Sequence, residues 1–480
     1  MSHTTKVLTS QGPLSGRTLK ILMPILFAAI FFVIPAPIGL EAQAWKLFGI
    51  FAGTILMLML QGLPEPSAII VGVTAAGLIV VPIKDVLVGY TDTTVWLIVV
   101  AVMLSLGFKK SGLAKRFGLL LIKSFGESSL GLGYVIGVID LMLAPVIPSA
   151  PARGGGLVYP LAQGIFEVVG SKPNENPRRL GAYLTVLLYM MDMVAGSLFM
   201  TGMGANLLTI KFASQILEVK VSWGLWTLAA VPGFIVLMLV PYIVYKMYPP
   251  ELKSVEEVRE MAREQLKTLG SITKRELIVG VTFLLSLVLW STSSKTQIDT
   301  TIVAFLGVTI MLLTDVIQWK DIADSKETWG ILIWFGGIIG LSSALDKFGF
   351  FKWLTVVMKD ILPAQGIGTF TTFVIIALLA VIPHYVFPSL VGYIATFAPV
   401  IFSFVAVTGA PRYPATFLVA FLMVISSTLT HYGNGLGPLL MGTGYVEKTA
   451  WWKIGFIVTL LATVVYLTLG LAYWKVIGLW

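Results

Sequence analysis

Apolar runs of near-bilayer length recur along this whole chain, and that recurrence limits the fold more than any other feature. They cover roughly 21–38, 44–63, 67–83, 93–108, 128–148, 155–168, 182–217, 223–246, 275–291, 301–318, 328–345, 367–387, 390–406, 414–443 and 452–476. A helix needs about 20 apolar residues to cross the hydrocarbon core. Composition agrees: 57% of the 480 residues are hydrophobic and only 12% charged, where a soluble domain runs at about 25% charged. The fold class is an all-α polytopic membrane protein. A soluble globule, a disordered chain and a disulfide scaffold are excluded, the last because there is no cysteine. Thiolate chemistry and cysteine metal sites go with it. The net charge of +9 reads as cytoplasmic bias of loop charges, not as nucleic-acid binding. Residues 1–20 form a polar cytoplasmic tail without the order of a signal peptide.

Several apolar runs are short and are separated from a neighbour by only a few Gly, Pro or Ser residues. Such pairs predict re-entrant hairpins or broken helices, which survive at membrane depth only where protein or a watery cavity surrounds them. One hydrophilic segment, 247–272, divides the chain. Within it Ser254-Val255-Glu256-Glu257 predicts a capping box. Val255, Val258, Ala262, Leu266 and Leu269 then recur at helical spacing, which predicts an amphipathic surface helix.

The two flanking halves are nearly equal in length and share landmarks in the same order. Lys110-Ser111-Gly112 answers Lys347-Phe348-Gly349, Pro148-Ser149 answers Pro388-Ser389, and Asn206 answers Asn434. Repeats with discontinuous helices mark secondary transporters. The predicted organisation is an extra N-terminal helix over 21–43, a first repeat over 44–246 and a second over 273–476. The first carries a hairpin at 128–168 and a broken helix at 182–217; the second carries a hairpin at 367–406 and a broken helix at 414–445. With the N-terminus inside, Lys6, Arg17, Lys20, the basic residues of 109–123, 172–179 and 246–275, and Lys320, Lys326, Lys448 and Lys453 share the cytoplasmic side. Five crossings per repeat then invert the second relative to the first and leave the C-terminus outside.

Four segments could carry chemistry. Ala144-Pro145-Val146-Ile147-Pro148-Ser149-Ala150-Pro151-Ala152-Arg153 runs into Gly154-Gly155-Gly156. Its prolines break a helix, and an arginine in an apolar region is costly and marks function by default. Arg153 either snorkels to the surface or faces an anion, whose carboxylates suit its planar fork. His384-Tyr385-Val386-Phe387-Pro388-Ser389-Leu390 and Thr430-His431-Tyr432-Gly433-Asn434 each place a histidine at a break, as a packing residue or a ligand-facing one. Thr201-Gly202-Met203-Gly204-Ala205-Asn206 either allows close helix packing or lines the same cavity. Asp140 and Asp192 are membrane-embedded acids suited to proton relay or to pairing with Arg153. Zincin, P-loop and dinucleotide-binding signatures are missing from the sequence, which argues against an enzyme.

At these motifs the chain resembles the divalent anion/sodium symporter family of INDY-type carriers over nearly its whole length. It is most similar to the dicarboxylate exchangers: the citrate/succinate, tartrate/succinate and 2-oxoglutarate/malate translocators. The resemblance rests on residues 148–160, 201–206 and 430–438. It implies an elevator-type homodimer in a bacterial plasma membrane, with substrate held between two hairpin tips and two broken-helix loops. It needs no cofactor and no protein-bound metal. Carried over, it implies substrate contacts at Ser149, Ala150, Pro151, Arg153, Gly204, Asn206, Ser389, Leu390, His431, Tyr432, Gly433 and Asn434. The sodium-coupled members hold their cation with Ser-Asn-Thr tips; here those positions read Ser149-Ala150-Pro151 and Ser389-Leu390-Val391. The expectation is that Arg153 and His431 are fixed cations standing in for sodium, so that only a domain loaded with a dicarboxylate dianion crosses. That gives sodium-independent exchange of malate, succinate or 2-oxoglutarate. Sodium-coupled symport, a membrane enzyme using His431 or Asp192, and a passive anion channel are the competing readings.

Overall fold

The most buried segment shows where the bundle centres. Helix Gly181–Leu198 is buried at every one of its residues, whereas in helix Gly16–Val33 only Pro24 is buried. The first lies inside protein and carries Asp192; the second lies at the periphery of the bundle. The computed structural model describes residues 16–361 and 368–480. Most of the expected N-terminal tail and the first residue of the expected second hairpin lie outside the described residues. Among the described residues, ten helices are long and apolar enough to cross a membrane, or eleven if Trp223–Ala229 and Val231–Met247, bent by 52°, count as one span. The only β pairing among them is one isolated bridge.

Small residues permit close helix crossings in lipid. Helix Ala42–Leu60 packs on Gly16–Val33, and a methyl group at Gly53 would stand 2.8 Å from the Pro24 carbonyl. Helix Thr93–Ser111 starts at Asp92, whose carboxylate accepts from the Thr94 amide at 2.8 Å. It ends at Gly112, where φ is +78°, a conformation that favours glycine. The amphipathic helix Leu113–Phe125 follows.

The same order of elements then occurs twice. A long helix, Thr93–Ser111 or Lys326–Lys347, turns at a left-handed glycine, Gly112 or Gly349, with φ +78° in both. An amphipathic helix, Leu113–Phe125 or Phe350–Ile361, comes next. A hairpin follows: Ser129–Leu143 with Tyr159–Val168, then Thr369–Leu379 with Leu390–Thr408. Last is a broken helix: Gly181–Leu198 with Gly204–Leu217, then Arg412–Ile425 with Leu436–Met441.

The hairpins and broken helices interlock. Ser129–Leu143 packs on Gly181–Leu198, Gly204–Leu217 on Leu390–Thr408, and the rewound segment Pro151–Val158 on Leu436–Met441. Helix Lys326–Lys347 instead packs against Glu65–Ile79 and Thr93–Ser111. Lys211 reaches across from the interlocked group to Asp92 at 2.7 Å.

The expected capping box at Ser254 is not formed. The linker helix Glu256–Leu269 starts at Val255 without a side-chain cap. Ser254 instead pairs with Ser128 in the isolated bridge, and the Val255 amide donates to the Glu127 carbonyl at 3.0 Å. The serine is used to tie the linker to the root of the first hairpin. A reciprocal capping box occurs later, between Thr273 and Glu276. Glu276 also accepts from Arg116 at 2.6 Å, and Arg116 donates to the carbonyls of Leu269, Gly270 and Ser271. One arginine thereby satisfies the end of the linker helix and the start of the next span.

Candidate functional site

The first hairpin tip is shaped by three prolines. Helix Ser129–Leu143 stops before Pro145, the chain unwinds through Pro148, and it rewinds from Pro151 as a π-helical turn, Pro151–Val158. The Ser149 hydroxyl accepts from the Ala152 amide at 3.3 Å. The second tip is built alike: a 3-10 turn Ile382–Val386, extended Phe387, and Ser389 capping helix Leu390–Thr408. Ser389 accepts from the Gly392 amide at 3.3 Å and faces Glu65 Oε1 at 3.5 Å.

The broken helices supply two loops. Met200–Gly202 is a 3-10 turn, and helix Gly204–Leu217 restarts beside the first tip, with the Gly204 amide donating to the Pro148 carbonyl at 3.3 Å. In the other loop Asn434 Oδ1 accepts from the amides of Leu436 (2.8 Å) and Gly437 (3.3 Å).

These four pieces enclose one side of a cleft of about 690 Å³. Ser149, Ala150, Pro151, Gly204, Ser389, Leu390 and Asn434 line it, so seven of the expected contact residues come together. The opposite wall is Gln61, Glu65, Pro66, Ile98, Lys109, Glu327, Gly330, Ile331 and Trp334. No sequence motif marked these, because they are scattered over four helices, Ala42–Leu60 (at its cap), Glu65–Ile79, Thr93–Ser111 and Lys326–Lys347; Lys109 and Glu327 face each other at 3.8 Å. The starts of helices Gly204–Leu217 and Leu390–Thr408 point into the cleft together with the rewound tip. Helix starts carry unpaired amides and partial positive charge, which suits an anion.

Five expected contacts are not on this surface. Arg153 is fully buried behind the first tip. Its Nε donates to Asp140 Oδ1 at 3.1 Å, and Nη2 donates to the Asp192 carboxylate at 2.9 Å and carbonyl at 3.0 Å. Its Nη1 donates to the carbonyls of Ile147 and Gly202, both at 2.8 Å. All five guanidinium N–H groups are directed into the protein, and none is left for a ligand in the cleft. Gly196 and Gly154 make the room: an added methyl would stand 2.8 Å from Arg153 Nη2 and 2.7 Å from Asp192 Oδ2, respectively. The expectation that Arg153 faces the anion is therefore corrected. It is an internal cation set among the carbonyls of a tip and a loop, facing two carboxylates.

Asn206 is likewise buried; its Nδ2 donates to the carbonyls of Gly196 and Phe199, both at 2.9 Å. It holds the loop that Gly204 exposes. His431 stands apart from the cleft in an aromatic group with Tyr432 and Trp452, where its Nδ1 accepts from Trp452 Nε1 at 3.1 Å. Tyr432 donates to the Tyr385 carbonyl at 2.8 Å. Gly433 turns its carbonyl to His384 Nε2 at 3.1 Å. His384, fully buried, completes that contact with Ser426 Oγ at 2.7 Å from Nδ1 and stacks on Tyr393 at 4.3 Å. In the second half His384, not His431, bonds a broken-helix loop carbonyl as Arg153 does in the first.

A family model described as the sodium:sulfate symporter transmembrane region matches residues 15–480. The chain is 38% identical to inner membrane protein YbhI of Escherichia coli over 96% of this chain and 98% of that one. It is 34% identical to dicarboxylate transporter 1, chloroplastic, of Spinacia oleracea (98% and 83%). It is 32% identical to the citrate/succinate antiporter of Escherichia coli (96% and 98%). Among solved structures it is similar in fold to MtrF of Neisseria gonorrhoeae, with a TM-score of 0.52 at 12% identity over 95% of this chain and 93% of that one. YdaH of Alcanivorax borkumensis gives 0.51 at 12% identity over 96% and 98%. With a family match over nearly its full length and relatives of this identity, the chain belongs to the divalent anion/sodium symporter family, in its dicarboxylate-transporter branch.

Proposed function

We propose that this protein exchanges small dicarboxylates, of the four- and five-carbon class of malate, succinate and 2-oxoglutarate, by sodium-independent antiport. The observation that carries the reading is the convergence of Ser149, Ser389, Asn434 and the amide-bearing starts of two long helices on one cleft. Two facing sets of donors suit a molecule with a carboxylate at each end. The names of the relatives, a dicarboxylate transporter and a citrate/succinate antiporter, support the same class. Transport, not catalysis, is the role of the family.

The interlocked hairpins and broken helices move as one body past the wall formed by Ile98, Ile331 and Trp334, which is the elevator motion. Empty, that body carries unpaired helix-start amides past the apolar part of that wall, which is costly; a bound dianion satisfies them. Exchange follows from that difference. Arg153 and His384 occupy the loop carbonyls behind each tip, in place of a bound cation. The division into an extra helix (21–43), two inverted repeats (44–246, 273–476) and a cytoplasmic linker (247–272) belongs to this reading. So do a cytoplasmic N-terminus, an external C-terminus, a homodimer and a bacterial plasma membrane. The sodium-coupled alternative draws on the family description alone.

Counterflow tests the proposal. Vesicles carrying purified protein and loaded with succinate are expected to take up labelled malate or 2-oxoglutarate, and empty vesicles are not. Equal uptake into both would remove exchange.

A further inference from the structure

A second cavity, of about 680 Å³, adjoins the cleft. Arg17 and Lys20, on the first turns of helix Gly16–Val33, line its outer side, and Gln61, Glu65 and Ser389 line its inner side. Those three inner residues also line the cleft, so the two spaces meet at the second hairpin tip. Arg17 and Lys20 are both exposed, and neither has a carboxylate partner among the described residues. The helix carrying them is seated firmly. The Lys20 carbonyl lies 2.8 Å from where a methyl at Gly62 would stand, so the absence of a side chain at 62 lets this turn rest on the 61–64 segment. Two cations without a carboxylate partner among the described residues thereby stand at the entrance to the cleft, on the side where Glu65 is the acid lining both spaces.

We propose that Arg17 and Lys20 form a capture vestibule for small carboxylate dianions, which gather there before passing Gln61 and Glu65 into the cleft. The inference rests on the dicarboxylate reading above and adds a site on one membrane face only. Exposed charges act through a screened field: the Debye length is about 8 Å at 0.15 M ionic strength and about 30 Å at 0.01 M. A cleft mouth lined by one sign of charge raises local substrate concentration and loses that advantage as salt rises. The two cations exceed the single charge of Glu65, so the mouth attracts dianions on balance.

The test is R17Q/K20Q in the full-length protein, with labelled succinate as the probe and counterflow measured separately in spheroplasts and in inverted vesicles. The apparent KM on the face bearing the start of helix Gly16–Val33 is expected to rise about threefold at 0.15 M ionic strength and more at low salt. Its salt dependence is expected to flatten, while the KM on the opposite face stays put. R17K/K20R, which keeps both charges, should restore the wild-type KM and salt slope. An unchanged KM and salt slope on the near face, in protein that exchanges normally from the far face, overturns the vestibule and leaves the transport reading standing. A shift of equal size on both faces also overturns it, since that marks a general loss of binding. Failure of the wild-type protein to exchange any dicarboxylate overturns the transport reading and the vestibule with it.

Discussion

Arg153→Ala is expected to lower stability by about 3–5 kcal/mol, the cost of removing one partner from a buried ion cluster. The substitution leaves the Asp140 and Asp192 carboxylates and the carbonyls of Ile147, Gly202 and Asp192 facing a void where five N–H groups had been. Thermal melts of detergent-purified protein measure the loss. The five acceptors left facing the vacancy are all oxygens, which suits a hard cation. Sodium is therefore expected to recover part of the melting temperature of R153A and to leave that of the wild type unmoved. Arg153→Lys should recover less than wild-type stability, because an ammonium has three donors for the same acceptors. A variant that melts like the wild type, with no sodium effect, would show that the guanidinium is not holding the tip and loop together.

Asn434→Ala is expected to cut exchange by roughly 10- to 100-fold, with most of the change in apparent KM. Asn434 does two jobs. Its Oδ1 caps the restart of the second broken helix at Leu436 and Gly437, and it forms part of the cleft wall. Loss of such a cap costs about 0.5–2 kcal/mol; Asn434 Nδ2 donates to Met193 Sδ at 2.6 Å, and loss of a bond from its second N–H to a charged ligand costs about 1.5–3 kcal/mol. The contrast is His431→Ala, only three positions earlier. His431 is paired with Trp452 away from the cleft, so its removal should alter exchange by no more than about twofold. Rates for both variants in the same vesicle preparation check the pair, and the reverse ranking would place the anion against His431 instead.

The bilayer-length runs, the interrupted helices and the two proline-serine tips were legible because each leaves a local signal: apolar length, a missing donor, a capping hydroxyl. Ser149 and Ser389 stand at those tips and line the cleft, as does Asn434, which the family resemblance pointed to. The direction of Arg153 was not. Charge in an apolar segment shows that a partner exists, not on which side of a tip it lies; the π-helical turn Pro151–Val158 and the room at Gly154 and Gly196 decide that. The partners themselves were in view as Asp140 and Asp192. His431 drew attention through polar neighbours, of which Tyr432 bonds the Tyr385 carbonyl, while His384 bonds the loop. The far wall was illegible for a different reason. Gln61, Glu65, Lys109 and Glu327 sit at the ends of separate helices, where a polar residue is the ordinary way to finish a span.

Replacing sodium with choline during malate/succinate counterflow most directly tests whether an anion held by tips and helix starts, backed by the internal cation Arg153 and by His384, needs no bound metal ion. Initial rates are expected to be equal within about twofold in the two buffers, with no uptake into empty vesicles under an inward sodium gradient. Sodium-driven accumulation in empty vesicles, with counterflow falling tenfold or more in choline, would contradict sodium-independent exchange.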